Sequence, residues 1–143
     1  MSTLLMTTSA SQTLIRLIAV AVAMAAALAI WTVAEAAFGI DMRAPVFDGS
    51  PEPLPIRAVD VLLVSMLLSF AGWGFLAILE RLTARAAQVW LTIAVAALAL
   101  SLATPWAGTG VSVPNRVALM LLHVAVGSVL IPALYRTSVR QSA

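Results

Sequence analysis

Apolar residues run along the chain in four long blocks, at 14–38, 58–79, 89–106 and 116–135, and shorter stretches rich in polar residues, glycine or proline separate them. At about 1.5 Å of rise per residue, blocks of this length match or approach the roughly 30 Å hydrocarbon layer of a bilayer. The pattern predicts an all-α protein, a four-transmembrane-helix bundle forming a single transmembrane domain over residues 1–143. Residues 1–13 are rich in Ser and Thr and carry no charged side chain, which reads as a short mobile tail. Arg16 then stands at the head of the first block, where a long basic side chain can snorkel to the interface. Arg16 before an apolar run, with Ala34-Glu35-Ala36 as a small-x-small site, also has the form of a signal peptide, but the run is longer than a usual signal core.

Residues 39–57 form the outer loop. Pro45, Pro51, Pro53 and Pro55, with Asp41, Asp48 and Glu52, break helices and favour turning or extended backbone. Its apolar residues Val46, Phe47, Leu54 and Ile56 are expected to pack it down on the end of the bundle. In the second block Ser65, Ser69 and Gly72 follow at helical spacing and make a small-residue strip for close helix packing, as does Gly127 in the fourth. Residues 81–88 are a short connection. Pro105 is expected to end the third span, residues 107–115 form a second loop, and residues 136–143 a basic tail. Pro132 lacks an amide hydrogen, so a kink is expected near the end of the fourth span.

Composition narrows the class further. The chain is 62% hydrophobic and 10% charged, with a mean hydropathy of +1.06, well outside the balance of soluble domains. Cysteine is absent, which excludes thiolate nucleophiles, disulfide frameworks and Cys-ligated clusters. All eight basic residues are arginine; their slight excess, without a basic stripe interleaved with aromatics, gives no nucleic-acid signal.

The arginines sort by side. Arg16, Arg81, Arg85, Arg136 and Arg140 fall on the side of the termini, and Arg43, Arg57 and Arg116 on the other. The positive-inside rule then places both termini in the cytoplasm. Five of the six acids, all but Glu80, fall on the outer side. Trp31, Phe38 and Trp106 at the outer ends, and Trp90 and Tyr135 at the inner ones, fit aromatic belts.

The segments at 71–90, AGWGFLAILERLTARAAQVW, and 119–134, LMLLHVAVGSVLIPAL, resemble an uncharacterised actinobacterial family of small four-helix membrane proteins that carries a domain of unknown function. The resemblance implies four spans and the bacterial plasma membrane as the location. It brings no activity with it.

The candidate chemistry centres on His123, the only histidine, which stands about two turns inside the fourth span. An ionisable residue at that depth needs a partner, and Asp60 and Glu35 on the same side are the best placed. Such a trio suits polar-ligand or proton binding, with Arg116 at the rim as a clamp for an anionic group; a plain interhelical hydrogen bond from His123 is the competing use. Asp60, three residues after Arg57, also has the spacing to cap its own helix. Without an HExxH-type motif no metal site is assigned, no cofactor is implied, and no serine has a positioned base. The expected function is that of a non-enzymatic accessory or scaffold subunit, packing in the lipid bilayer against itself as a homo-oligomer or within a larger membrane complex. The alternative is a small carrier using the outer His/carboxylate cluster.

Overall fold

The computed structural model describes the backbone over residues 2–49 and 52–141, and side chains within 11–49 and 52–140. It contains α1 (Ser2–Ala36), α2 (Ala58–Leu82), α3 (Ala86–Ala107) and α4 (Val113–Gln141). All four are long and apolar enough to cross a membrane, and no strand longer than an isolated bridge occurs among the described residues. The chain is an all-α multi-pass membrane protein in architecture. Each helix packs on its sequence neighbours, α1 closes the ring most extensively against α4, and α2 touches α4 across the middle.

The helices exceed the apolar blocks, for identifiable reasons. No glycine or proline interrupts the chain before Gly39, so α1 starts at Ser2 and the expected tail is helical. Pro105 does not end the third span: α3 continues to Ala107 with the proline in its last turns. Pro114 opens α4 instead of belonging to a loop, because the first turn of a helix needs no amide hydrogen from it. Ser112 accepts from the first turn, through its carbonyl from the Arg116 amide at 3.0 Å and through its hydroxyl from the Asn115 amide at 3.4 Å. Between α2 and α3 only Thr83, Ala84 and Arg85 are left as a connection.

In lipid, helices gain little from burying apolar surface, so close packing and interhelical hydrogen bonds hold them together. Ala19, Ala23 and Ala27 recur every four residues on α1 and are all buried; Ala19 and Ala23, with Val20, cluster with Leu130 of α4. Gly127 of α4 is met by Leu98 of α3, where an added Cβ would lie 2.8 Å from a leucine methyl. Ser69 is fully buried, its hydroxyl donating to the Ser65 carbonyl at 2.6 Å. Gly72 departs from the packing-strip expectation: the space in front of its Cα is open, and its carbonyl accepts the Trp90 indole N–H at 2.9 Å. Trp90 is therefore a core residue, buried with Leu76 and Leu134, rather than part of an aromatic belt.

The proline-rich loop does lie across the bundle, through Ile56 as expected and, beyond the expectation, through Ile40 and Met42. Met42 is fully buried in a cluster with Ala34, Ala118 and Leu119, onto which Trp31, Ile40 and Ile56 also pack. Phe47 and Leu54, expected to face inward, are 62% and 74% exposed. The loop's backbone explains this. It folds into a narrow hairpin, Ala44 N–H donating to Leu54 O and Ile56 N–H to Met42 O, both at 2.8 Å. Val46 and Thr109 exchange both backbone hydrogen bonds, at 3.0 and 3.1 Å, tying this loop to the one between α3 and α4. Gly108 permits that approach, because a Cβ there would sit 2.5 Å from the Pro45 Cβ.

Candidate functional site

Of the polar residues expected to converge at the loop end, Asp60, His123 and Arg116 are bonded to their own surroundings, and no hydrogen bond among the described residues joins them to one another or to Glu35. Asp60 accepts from the Arg57 amide at 2.9 Å and from Arg57 Nε at 3.2 Å, so it closes the first turn of its own helix. His123 Nδ1 lies 2.7 Å from the Leu119 carbonyl of its own helix; since a carbonyl can only accept, Nδ1 carries the hydrogen and donates it. Glu35, half-buried in the last turn of α1, makes no side-chain hydrogen bond among the described residues. No hydrogen bond joins His123 to Asp60 or Glu35, so the expected interhelical partner of His123 is absent among the described residues. Nor, among the described residues, does any group of three His, Asp or Glu gather closely enough to hold a metal ion.

Arg116 is occupied as well. Its Nη1 donates to the Pro105 carbonyl, in the last turn of α3, its Nε to the Val111 carbonyl at 3.3 Å, and its guanidinium lies 5.6 Å from the Trp106 ring centroid. A helix end leaves carbonyls without intrahelical partners and carries partial negative charge, so a cation there satisfies both. The Trp106 indole in turn points to Met120 Sδ at 3.0 Å, joining α3 to α4.

The most buried ion pair among the described residues lies at the opposite end, where the termini are. Arg16 of α1 is only 4% exposed. Its Nη2 donates to Glu80 Oε1 of α2 at 2.7 Å, and its Nη1 to Oε2 at 3.4 Å. Its Nε donates to Thr137 Oγ1 of α4 at 2.9 Å, and that hydroxyl passes its own hydrogen to Leu134 O at 2.9 Å. Arg16 thus fails to snorkel: it joins three helices through one planar guanidinium, whose fork suits a carboxylate on one edge and a hydroxyl on the other. The arrangement is a polar knot that ties α1, α2 and α4 together. The sequence held one signal for it. Glu80 is the single acid among the five arginines of that side.

Two hollows adjoin at the loop end, between α1 and α4. One is an apolar groove of about 590 Å³ that includes Ile30, Val33, Val117 and Leu121 in its walls. The other, about 560 Å³, carries Asp41, Arg43, Ser112 and Asn115. Phe38, Ile40 and Pro114 belong to both. No curated protein and no solved structure matches the chain. A family model described as a family of unknown function, DUF6069, matches residues 7–140, and the chain belongs to this family.

Proposed function

We propose that this member of the DUF6069 family is a non-enzymatic membrane subunit, an accessory or scaffold protein that packs against itself or against partner membrane proteins. The observation that carries the reading is how its polar side chains are used. A carrier or an enzyme needs such groups free and turned toward a common cavity; here Arg16, Glu80, Thr137, Arg116, Trp90 and Trp106 bind one helix to another or cap a helix end. The bundle leaves a broad apolar face on α2 and α3, with Leu67, Leu68, Ile93 and Leu100 exposed, and α3 is the least covered of the four helices. We place it in a bacterial plasma membrane with both termini cytoplasmic, on the arginine asymmetry and on an alanine-rich composition whose basic residues are all arginine, as GC-rich genomes favour.

The test is site-specific photocrosslinking in native membranes, with the reactive group placed in turn at Ile93 and Leu100. The reading expects a discrete protein adduct of fixed mass at one or both positions, either a dimer of this chain or one heavier species. Lipid adducts alone at both positions would contradict it.

A further inference from the structure

We infer that the loop end of α1 and α4 binds a single glycerophospholipid with a primary-amine headgroup, one acyl chain lying in the apolar groove and the headgroup in the pocket above it. This goes beyond the packing role and rests on different residues. The groove walls run from Val113 to Leu121 on α4 and from Ala29 to Ala34 on α1, roughly 12 Å along α4 at 1.5 Å per residue, close to the depth of one leaflet. The groove offers almost no polar surface, as an acyl chain requires. It opens past Phe38, Ile40 and Pro114 into a pocket of mixed polarity. An apolar trough leading into a polar cup is complementary to an amphiphile rather than to a soluble metabolite.

The charges in the cup select the headgroup. Arg43 Nε donates to Asp41 Oδ2 at 2.7 Å and its Nη1 to Pro53 O at 3.2 Å, while Nη2 has no partner among the described residues. Both side chains of this pair are open to solvent, and together they present one cation beside one anion. The N-terminus of α4 also borders the cup through Ser112, Pro114 and Asn115, so its partial positive charge adds to the arginine. A phosphate fits against Arg43 Nη2 and this helix end, and an ammonium fits against Asp41. Asn115 supplies an independent sign of a missing donor. It is 2% exposed, its Nδ2 donates to the Arg43 carbonyl at 2.9 Å, and its Oδ1 is buried with no donor among the described residues. A buried acceptor left unsatisfied is costly, so the wall of the cup carries a polar demand that the described residues do not meet.

The experiment uses the full chain in detergent, titrated with dioleoyl phosphatidylethanolamine, phosphatidylcholine or phosphatidylglycerol and read by native mass spectrometry. One phosphatidylethanolamine is expected to be retained, about fivefold to tenfold more tightly than either of the others, as charge-assisted hydrogen bonds at a half-open site allow. Asp41→Asn is expected to erase the preference over phosphatidylcholine, and Arg43→Gln to weaken all three lipids. Val33→Trp, at an exposed position in the groove wall, should block binding while leaving the helical circular dichroism and thermal midpoint unchanged; Arg81→Gln, at the other end, should change nothing. Because Arg43→Gln also removes the bond to Pro53, the selectivity change in Asp41→Asn decides if that variant unfolds. Equal retention of the three lipids, a preference for phosphatidylglycerol, or a protein dimer seated on the groove in place of lipid would each overturn the inference. Displacement of the lipid by soluble glycerophosphoethanolamine at equal concentration would overturn the role of the groove.

Discussion

Removing the carboxylate of Glu80 leaves Arg16 charged, buried and without its counter-ion, and the size of that penalty follows from the geometry. The pair is nearly dry on the arginine side, with side-chain exposure of 5% for Arg16 against 21% for Glu80. Breaking a buried ion pair from one side costs about 3–5 kcal/mol, most of it the stranded charge. The partial exposure of Glu80 and the remaining acceptor, Thr137 Oγ1, put Glu80→Leu near the lower bound, about 3 kcal/mol. Arg16→Met strands a carboxylate that water can reach and is expected to cost less, about 2 kcal/mol. The double variant Arg16→Met with Glu80→Leu removes both charges and substitutes apolar volume, so it is expected within about 1 kcal/mol of the unaltered protein. The singles sum to about 5 kcal/mol against at most about 1 for the double, a coupling of about 4–5 kcal/mol, strong for neighbouring residues. Equilibrium unfolding by SDS in mixed micelles provides the assay, followed by the fluorescence of Trp90, which packs beside Leu76 and Leu134. Single variants within about 0.5 kcal/mol of the unaltered protein, or a double variant costing the sum of the singles, would refute the reasoning.

Reporter fusions after residue 143 and inside the loop at Asp48 should give opposite signals, the first cytoplasmic; equal signals would remove the four-span topology. Gly108→Ala should loosen the union of the two loops by about 1–3 kcal/mol, because the new methyl meets Pro45 and the Val46 carbonyl, and hydrogen exchange at the Val46 and Thr109 amides should accelerate. Gly127→Val should lower the thermal midpoint by pushing α4 away from Leu98, whereas Gly72→Ala, with nothing within 4 Å of its added carbon, should leave it nearly unchanged. His123→Gln should alter unfolding by less than about 1 kcal/mol, since the lost bond is local to α4 and such bonds in membranes average about 0.6 kcal/mol; a loss of several kcal/mol would show that the histidine carries more than a link to Leu119.

The four helices were legible because a span needs a long apolar block, and the chain has four of them. Helix ends were less so. Whether a proline stops a helix depends on where it falls: Pro114 sits in a first turn that has no bond to lose, and Pro105 so near the end of α3 that the break hardly matters. The loop's descent onto the bundle was legible, but not its register, since Met42 rather than Phe47 or Leu54 is the residue it buries. His123 drew attention as an isolated ionisable residue, yet an imidazole can satisfy one nitrogen on its own helix, one turn back, without any partner helix. Arg16 departs from its expected place for the converse reason. A basic residue at the start of an apolar block is ordinarily an anchor in the head groups, and only the meeting of α1, α2 and α4, which no local pattern records, brings Glu80 and Thr137 to it.

On the proposed function, the bundle interior is packed and dry, and its polar groups hold it together rather than line a path. The absence of cysteine allows a direct measurement. Single cysteines at Ala27, Leu130 and Leu134, all buried between helices, are exposed in intact cells and inverted vesicles to a membrane-impermeant thiol reagent, with Asp48→Cys in the outer loop as the positive control. Labelling of Asp48→Cys from outside, and of none of the three interior positions from either side, is expected. Labelling of an interior cysteine, from whichever side, would mean that water reaches the core and would contradict the proposed function.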